Sequence, residues 1–406
     1  MTTAYDLADW ASTLKPSAAD LALAARSLND TLSVTLAARE HPLTRITAGL
    51  SEAAHWAATG HVLDFDDLHM ESTTHISVVI VPTVLATGGD AQAYLAGAGV
   101  MARLGNALGW SHYTNGWHAT CTAGAPAASV AAAISLGLTT EEIAHAIALS
   151  IPAAGGVQRA FGTTGKPLQV GFAAEAGVRA ARLARAGARS DLSVVDQWLS
   201  LVEARRPVEL EGPAIPGGLA IKLFPCCYAM QRPIGAMRSL RNELGAAQIT
   251  RITAATPAGT VHPLIHHRPV TGLEGKFSLE YSLATTVLDE FPDFTSFTDE
   301  AVRRPQAQAL IEMVTVELPT TDDDNLLAGA FDLAVETQDG RTLTRRLSMP
   351  PGSPDLPATS EELAAKAVGC GTDVPGLIDG VSWESAADLL RDQLPVAAIR
   401  RNVVPA

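Results

Sequence analysis

A texture of small apolar residues, running from Leu7 to about Leu240, restricts this chain more than any other feature. Apolar residues make up 47% of the sequence but aromatics only 5%, so the core must be built mainly from Ala, Leu, Val and Ile. Alanine is the strongest helix former, and its short side chain lets helix axes approach closely. Segments such as 125–136 and 172–186 therefore predict helices packed in a bundle. Thr139 and Glu142 have the spacing of a capping box ahead of Ile143, Ala146 and Ile147, which places a helix start between them.

Near Gln248 the texture changes. Residues 249–256, 314–318 and 333–337 alternate as strands do, and Asp339-Gly340 supplies a turn before the run 342–347. Helical segments intervene at 279–288 and 301–313, and Pro350-Pro351-Gly352-Ser353-Pro354 reads as a break before a capped helix from about Ser360. A chain of 406 residues is long for one core. The expectation is a mainly α protein with a large all-helical domain over residues 1–240, completed by residues 380–406. Residues 241–379 form a smaller α+β domain.

The formal net charge of −14 argues against nucleic acid as a partner, because phosphate contacts need a basic surface. It leaves room for a small anionic substrate, since a pocket can be locally positive on an acidic protein. The first residues, Met1-Thr2-Thr3-Ala4-Tyr5-Asp6, do not read as a secretory signal, and no apolar run has the length of a membrane span. The cysteines are Cys121, the adjacent Cys226-Cys227 and Cys370. None has the Cys-x-x-Cys spacing of a zinc or iron–sulfur site, so no metal is expected and a reduced cytoplasm fits best.

Ionisable groups are concentrated in one short stretch. Asp64-Phe65-Asp66-Asp67-Leu68-His69, followed by Glu71 and His75, places carboxylates and imidazoles together in a chain of which only 18% is charged. Asp and His supply a base, an acid and hydrogen-bond donors near neutral pH, so the stretch suits proton transfer or anion binding. An Asp-rich helix N-terminus, favoured by the helix dipole, is the bland alternative. Gly116-Trp117-His118-Ala119-Thr120 precedes an Ala-rich helix, where His118 would lie at an anion-favouring N-terminus or serve as a cap or core residue. Phe161-Gly162-Thr163-Thr164-Gly165-Lys166-Pro167 lacks phosphate-loop spacing, and Lys166 reads either as a carboxylate binder or as a solvated lysine. In Lys222-Leu223-Phe224-Pro225-Cys226-Cys227-Tyr228 the thiols read as packing. Lys276-Phe277-Ser278-Leu279-Glu280-Tyr281 offers Tyr281 as a donor or as an ordinary amphipathic tyrosine at a helix start. His262, His266 and His267 have no metal spacing and read as a surface loop.

Taken in order, these signatures resemble the MmgE/PrpD family, which includes 2-methylcitrate dehydratase, cis-aconitate decarboxylase and iminodisuccinate epimerase. The resemblance rests on His61-Val62-Leu63-Asp64-Phe65-Asp66-Asp67 with His75, Gly116-Trp117-His118-x-Thr120, and Phe161-Gly162-Thr163 with Lys166-Pro167. It continues through Phe224-Pro225-Cys226-Cys227-Tyr228 and Lys276-Phe277-Ser278-Leu279-x-Tyr281. It implies a homodimer of two-domain subunits in which the α+β domain acts as a lid over an active site, working without metal or organic cofactor. The family's catalytic residues carry over as Asp64, His75, His118, Lys166 and Tyr281, with Leu68, Thr120, Gln231 and Lys276 as substrate-binding positions. Two positions depart from the pattern. Leu68 stands where threonine is usual, and Gln231 where histidine is usual; glutamine hydrogen bonds but cannot shuttle a proton.

The chemistry implied is proton movement beside a carboxylate of a di- or tricarboxylic acid, with Lys166 and His118 binding carboxylates, His75 as acid or base and Asp64 orienting an imidazole. A 2-methylcitrate-dehydratase-like hydro-lyase is the first expectation. The alternatives are a cis-aconitate-decarboxylase-like carboxy-lyase, an epimerase of an amino- or iminodicarboxylate, and an impaired relative that only binds an acidic metabolite.

Overall fold

The computed structural model describes residues 2–322 and 325–396 and divides into two compact units. One comprises residues 2–219 with 370–396; the other, residues 220–369. The protein is mainly α-helical with one small sheet. Among the described residues no helix is long and apolar enough to cross a membrane.

The first unit is all helix and loop, and alanine sets its architecture. Helix Ala119–Ser135 is buried along nearly its whole length, and helix Gly165–Arg185 packs against it. Glycine permits the contact: a Cβ at Gly177 would lie 2.4 Å from Ala128 Cβ, and one at Gly171 would lie 2.6 Å from the Ala54 carbonyl. The apolar run Val78-Val79-Ile80-Val81 carries no helical period because helix Ser77–Thr87 is enclosed on all sides. Helix Ala91–Thr114 bends at Gly109, whose φ of 69° departs from helical geometry. The capping box at Thr139 and Glu142 forms as expected and starts helix Thr140–Ser150. Residues of the C-terminal segment also belong here: Trp383 packs on Tyr94 at 5.3 Å between ring centroids, and Arg391 Nε meets Glu52 Oε1 at 2.8 Å. Residues 397–406, part of the expected 380–406 return, lie outside the described residues.

The second unit holds a four-stranded sheet of order β2-β1-β3-β4, from β1 (Ile249–Ala255), β2 (Val314–Glu317), β3 (Phe331–Thr337) and β4 (Thr342–Leu347). β1 pairs parallel with β2 and antiparallel with β3; β3 pairs antiparallel with β4. Helix Gln231–Leu244 covers β3 and β4. The single helix expected over 301–313 is instead broken into Asp299–Val302 and Pro305–Glu312. Pro305 disfavours helical φ/ψ at Arg304 and starts a new helix at its own position.

Candidate active site

The site is built in the first unit by three elements that sequence separates widely. Helix Glu52–His61 ends at His61, and the chain then runs irregularly through Asp64 and Asp66 to His75 before helix Ser77–Thr87 begins. This stretch is therefore not an Asp-rich helix start. Asp64 adopts a left-handed φ of 55°, a conformation Asp tolerates better than most residues, and strain of this kind concentrates at functional sites. His118 is the N-cap residue of helix Ala119–Ser135, and Lys166 lies in the first turn of helix Gly165–Arg185.

Four side chains, His61, Asp64, Asp66 and His75, converge so that one ligating atom from each lies within 4.8 Å of the others. Asp66 Oδ2 receives His61 Nδ1 at 2.8 Å and stands 3.0 Å from His75 Nδ1. Burial is the largest influence on Asp66 and pushes its pKa up. The two imidazoles together more than reverse this and hold it well below the ordinary carboxylate value. Asp66 is thus an ionised acceptor, and an acceptor-only oxygen requires the proton of His61 to sit on Nδ1. His61 Nε2 is buried and without a hydrogen-bond partner among the described residues.

Asp64 faces the other way. Its Oδ1 receives the Lys166 ammonium at 2.7 Å and stands 3.9 Å from His75 Nε2. Lys166 is only 7% exposed, which removes the solvated-lysine reading. His118 completes the group: its ring stacks 6.0 Å from that of His61 and meets Phe161 edge-on at 4.9 Å. Burial first, then the positive charge of His61, Lys166 and His75, drives its pKa well below the usual imidazole value, against a raising hydrogen bond with Gln169. His118 is therefore a neutral imidazole at physiological pH. Its Nδ1 lies 3.2 Å from Cys121 Sγ, and burial pushes that thiol's pKa up, so Cys121 is a protonated partner rather than a nucleophile.

Thr120 Oγ1 accepts the backbone N–H of His75 at 3.1 Å, so it holds the histidine's main chain. Leu68 is buried in the same 64–77 segment. His69 and Glu71 do not join the group. His69 is held by Ser72 Oγ and the Pro216 carbonyl, and Glu71 accepts from Asn106. Gln231, Lys276 and Tyr281 belong to the second unit. There Gln231 is fully buried and spends its amide on the backbone of Leu223 and Phe224, bracing that loop. Tyr281 donates its hydroxyl to the Ser296 carbonyl, and burial raises its pKa. The Lys276 ammonium lies 5.8 Å from the Phe294 ring centroid.

A divalent cation fits the converging donors poorly. Both Nδ1 atoms lean on Asp66, and Asp64 already carries an ammonium, so an ion would have to break these contacts and accept a like charge beside it. The sequence reading assigned no role to His61 or Asp66, although both stand in the quoted motif. Their five-residue spacing spans a helix end, so no helical period signals that their side chains meet.

Two family profiles match, the MmgE/PrpD N-terminal domain over residues 50–201 and the MmgE/PrpD C-terminal domain over residues 224–377. The chain belongs to the MmgE/PrpD family. Among curated relatives of this MmgE/PrpD protein is a cis-aconitate decarboxylase of Aspergillus terreus, 26% identical over 351 residues, covering 76% of this chain and 71% of the relative. The human cis-aconitate decarboxylase is 27% identical over 338 residues, covering 75% of this chain and 69% of its own. The mouse enzyme is 25% identical over 344 residues, with 75% and 68% covered. These MmgE/PrpD relatives are lyases, and the chain is an enzyme of that class.

Proposed function

We propose that this lyase is a carboxy-lyase acting on an unsaturated tricarboxylic acid of the cis-aconitate class. The observation that carries the reading is similarity to cis-aconitate decarboxylases over three quarters of the chain. It puts decarboxylation ahead of the hydro-lyase expected from the sequence. In the reaction, a carbon–carbon bond to one carboxylate breaks and carbon dioxide leaves. The electron pair moves through the double bond toward a remaining carboxylate, and a proton is delivered to carbon.

The buried group suits those needs. Lys166, whose ammonium pairs with Asp64, is the buried cation suited to a substrate carboxylate where charge develops. His75 presents Nε2 beside Asp64 with its other nitrogen against Asp66, an arrangement that orients the ring for proton transfer. His118, neutral, serves as a hydrogen-bonding partner instead of a cationic carboxylate clamp. The same reading takes the enzyme as a cytoplasmic homodimer; light scattering checks the dimer.

The test is proton NMR of the purified protein in deuterium oxide with cis-aconitate, citrate and 2-methylcitrate. Loss of carbon dioxide from cis-aconitate with deuterium on carbon supports the proposal. Release of water from 2-methylcitrate without decarboxylation would replace it with the hydro-lyase reading, and no reaction with any acid would favour a binding protein.

A further inference from the structure

We infer that Asp67, outside the converging group, is a positioning residue that sets the distance between Asp66 and His75. It does so by clamping the two ends of the segment that carries them. Helix Ser77–Thr87 has no side-chain cap from the residue before it, Ile76. Its first N–H groups need acceptors, and Asp67 supplies one from ten residues away. Asp67 Oδ1 accepts the Ser77 backbone N–H at 3.1 Å, while Oδ2 accepts the Ser77 hydroxyl in a short hydrogen bond. Tyr94 Oη, from helix Ala91–Thr114, meets the same Ser77 Oγ at 2.7 Å and ties the clamp to the core.

The consequence is geometric. Asp66 is the neighbour of one jaw and His75 lies two residues from the other, so closing Asp67 on Ser77 brings Asp66 Oδ2 to 3.0 Å from His75 Nδ1. The intervening loop is stiff in its own right. His69 N–H donates to the Thr74 carbonyl at 2.8 Å, and Ser72 Oγ joins both His69 Nδ1 at 2.7 Å and Thr74 Oγ1 at 2.6 Å. A stiff loop closed at its base transmits a change at the base to what stands beside it. Thr120 provides a second hold on the His75 backbone, so loss of the clamp displaces the imidazole without releasing it.

The experiment compares Asp67→Ala with Asp67→Asn, and its kinetic arm rests on the carboxy-lyase reading. The alanine removes the clamp. The asparagine keeps it, since its amide oxygen accepts the Ser77 N–H and its amide N–H donates to Ser77 Oγ, which then acts as acceptor. Misplacing a reacting group by a fraction of an ångström to an ångström predicts that Asp67→Ala lowers kcat about ten- to a hundredfold while KM stays within about twofold. Asp67→Asn is expected to restore kcat to within about threefold of the parent. A crystal structure of Asp67→Ala is expected to show the Asp66–His75 contact opened beyond its present 3.0 Å. That arm needs no substrate, so it fails separately from the assigned reaction. An unchanged contact overturns the proposal, as does unchanged kcat with only a lower melting temperature, or an Asp67→Asn loss equal to that of Asp67→Ala. Should Asp67→Ala not fold, Ser77→Ala removes the hydroxyl's bonds to Asp67 and Tyr94 but keeps the backbone N–H on Asp67, and is judged by the same kcat and distance, with a smaller change expected.

Discussion

Asp67 also makes a prediction about stability that its geometry lets us size. Burial pushes its pKa from 3.8 to about 7, with the charges of Asp30 and Asp66 adding to the rise and the hydrogen bonds from Ser77 opposing it. Tyr94 faces the same carboxyl through Ser77, and its own pKa is raised, first by burial and then by Asp67. A carboxyl whose folded pKa exceeds its unfolded one binds a proton more tightly when folded. Its contribution is therefore most favourable below pH 3.8 and declines as pH rises towards about 7. The full span, from 3.8 to about 7, corresponds to about 4 kcal/mol at about 1.4 kcal/mol per pKa unit. Between pH 5 and pH 8 the same arithmetic leaves about 2.5 kcal/mol. Asp67→Asn is a neutral isostere that cannot titrate. Its stability relative to the parent protein should therefore rise by about 2.5 kcal/mol between those pH values. Urea denaturation at pH 5, 6.5 and 8, followed by far-UV circular dichroism, measures it. A parent–variant difference that stays flat across the three pH values would refute the reasoning, because the carboxyl would then titrate alike in both states.

Three further outcomes follow from the same structure. Lys166→Met removes the ammonium 2.7 Å from buried Asp64; breaking such a pair should cost about 3–5 kcal/mol and abolish turnover, whereas adding Asp64→Asn should recover the stability but not the activity, both read by urea denaturation and the decarboxylation assay. Asp66 is held below 3.8, so its contribution is fully present above that pH and disappears as pH falls through its lower folded value; acid denaturation of Asp66→Asn should show a shallower loss below pH 3.8 than the parent does. Gly177→Ala would place a Cβ 2.4 Å from Ala128 Cβ and should lower stability by about 1–3 kcal/mol through overpacking, seen as an earlier thermal transition.

The helical class was legible in the sequence because alanine density and capping chemistry are local properties. The Thr139–Glu142 box is an example: its residues are three apart, so the motif is complete in the sequence before any tertiary contact forms. The strand order was not legible. β1 lies between β2 and β3, strands that follow it by more than fifty residues, and nothing within the alternating run 249–256 names its neighbours. The broken helix at Arg304 shows the opposite failure, in which a local signal, Pro305, outweighed a continuous apolar period.

The site divides along the same line. Chemical type was visible: carboxylates, imidazoles and a lysine beside glycine all stand in motifs. Which carboxylate serves which partner was not. The sequence reading paired Asp64 with an imidazole; Asp64 Oδ1 stands 3.9 Å from His75 Nε2 but also takes Lys166, which is 102 residues distant, while Asp66 holds His61 and stands against the other nitrogen of His75. Adjacent motif positions point in different directions once the backbone turns through the left-handed conformation at Asp64. That left-handed turn lies between the carboxylate that pairs with Lys166 and the one that serves two imidazoles. It also explains how three aspartates within four residues carry three unlike protonation environments: one beside an ammonium, one kept ionised by histidines, and one driven towards neutrality by burial. A motif of identical letters holds distinct tasks only because the fold gives each letter a different neighbour.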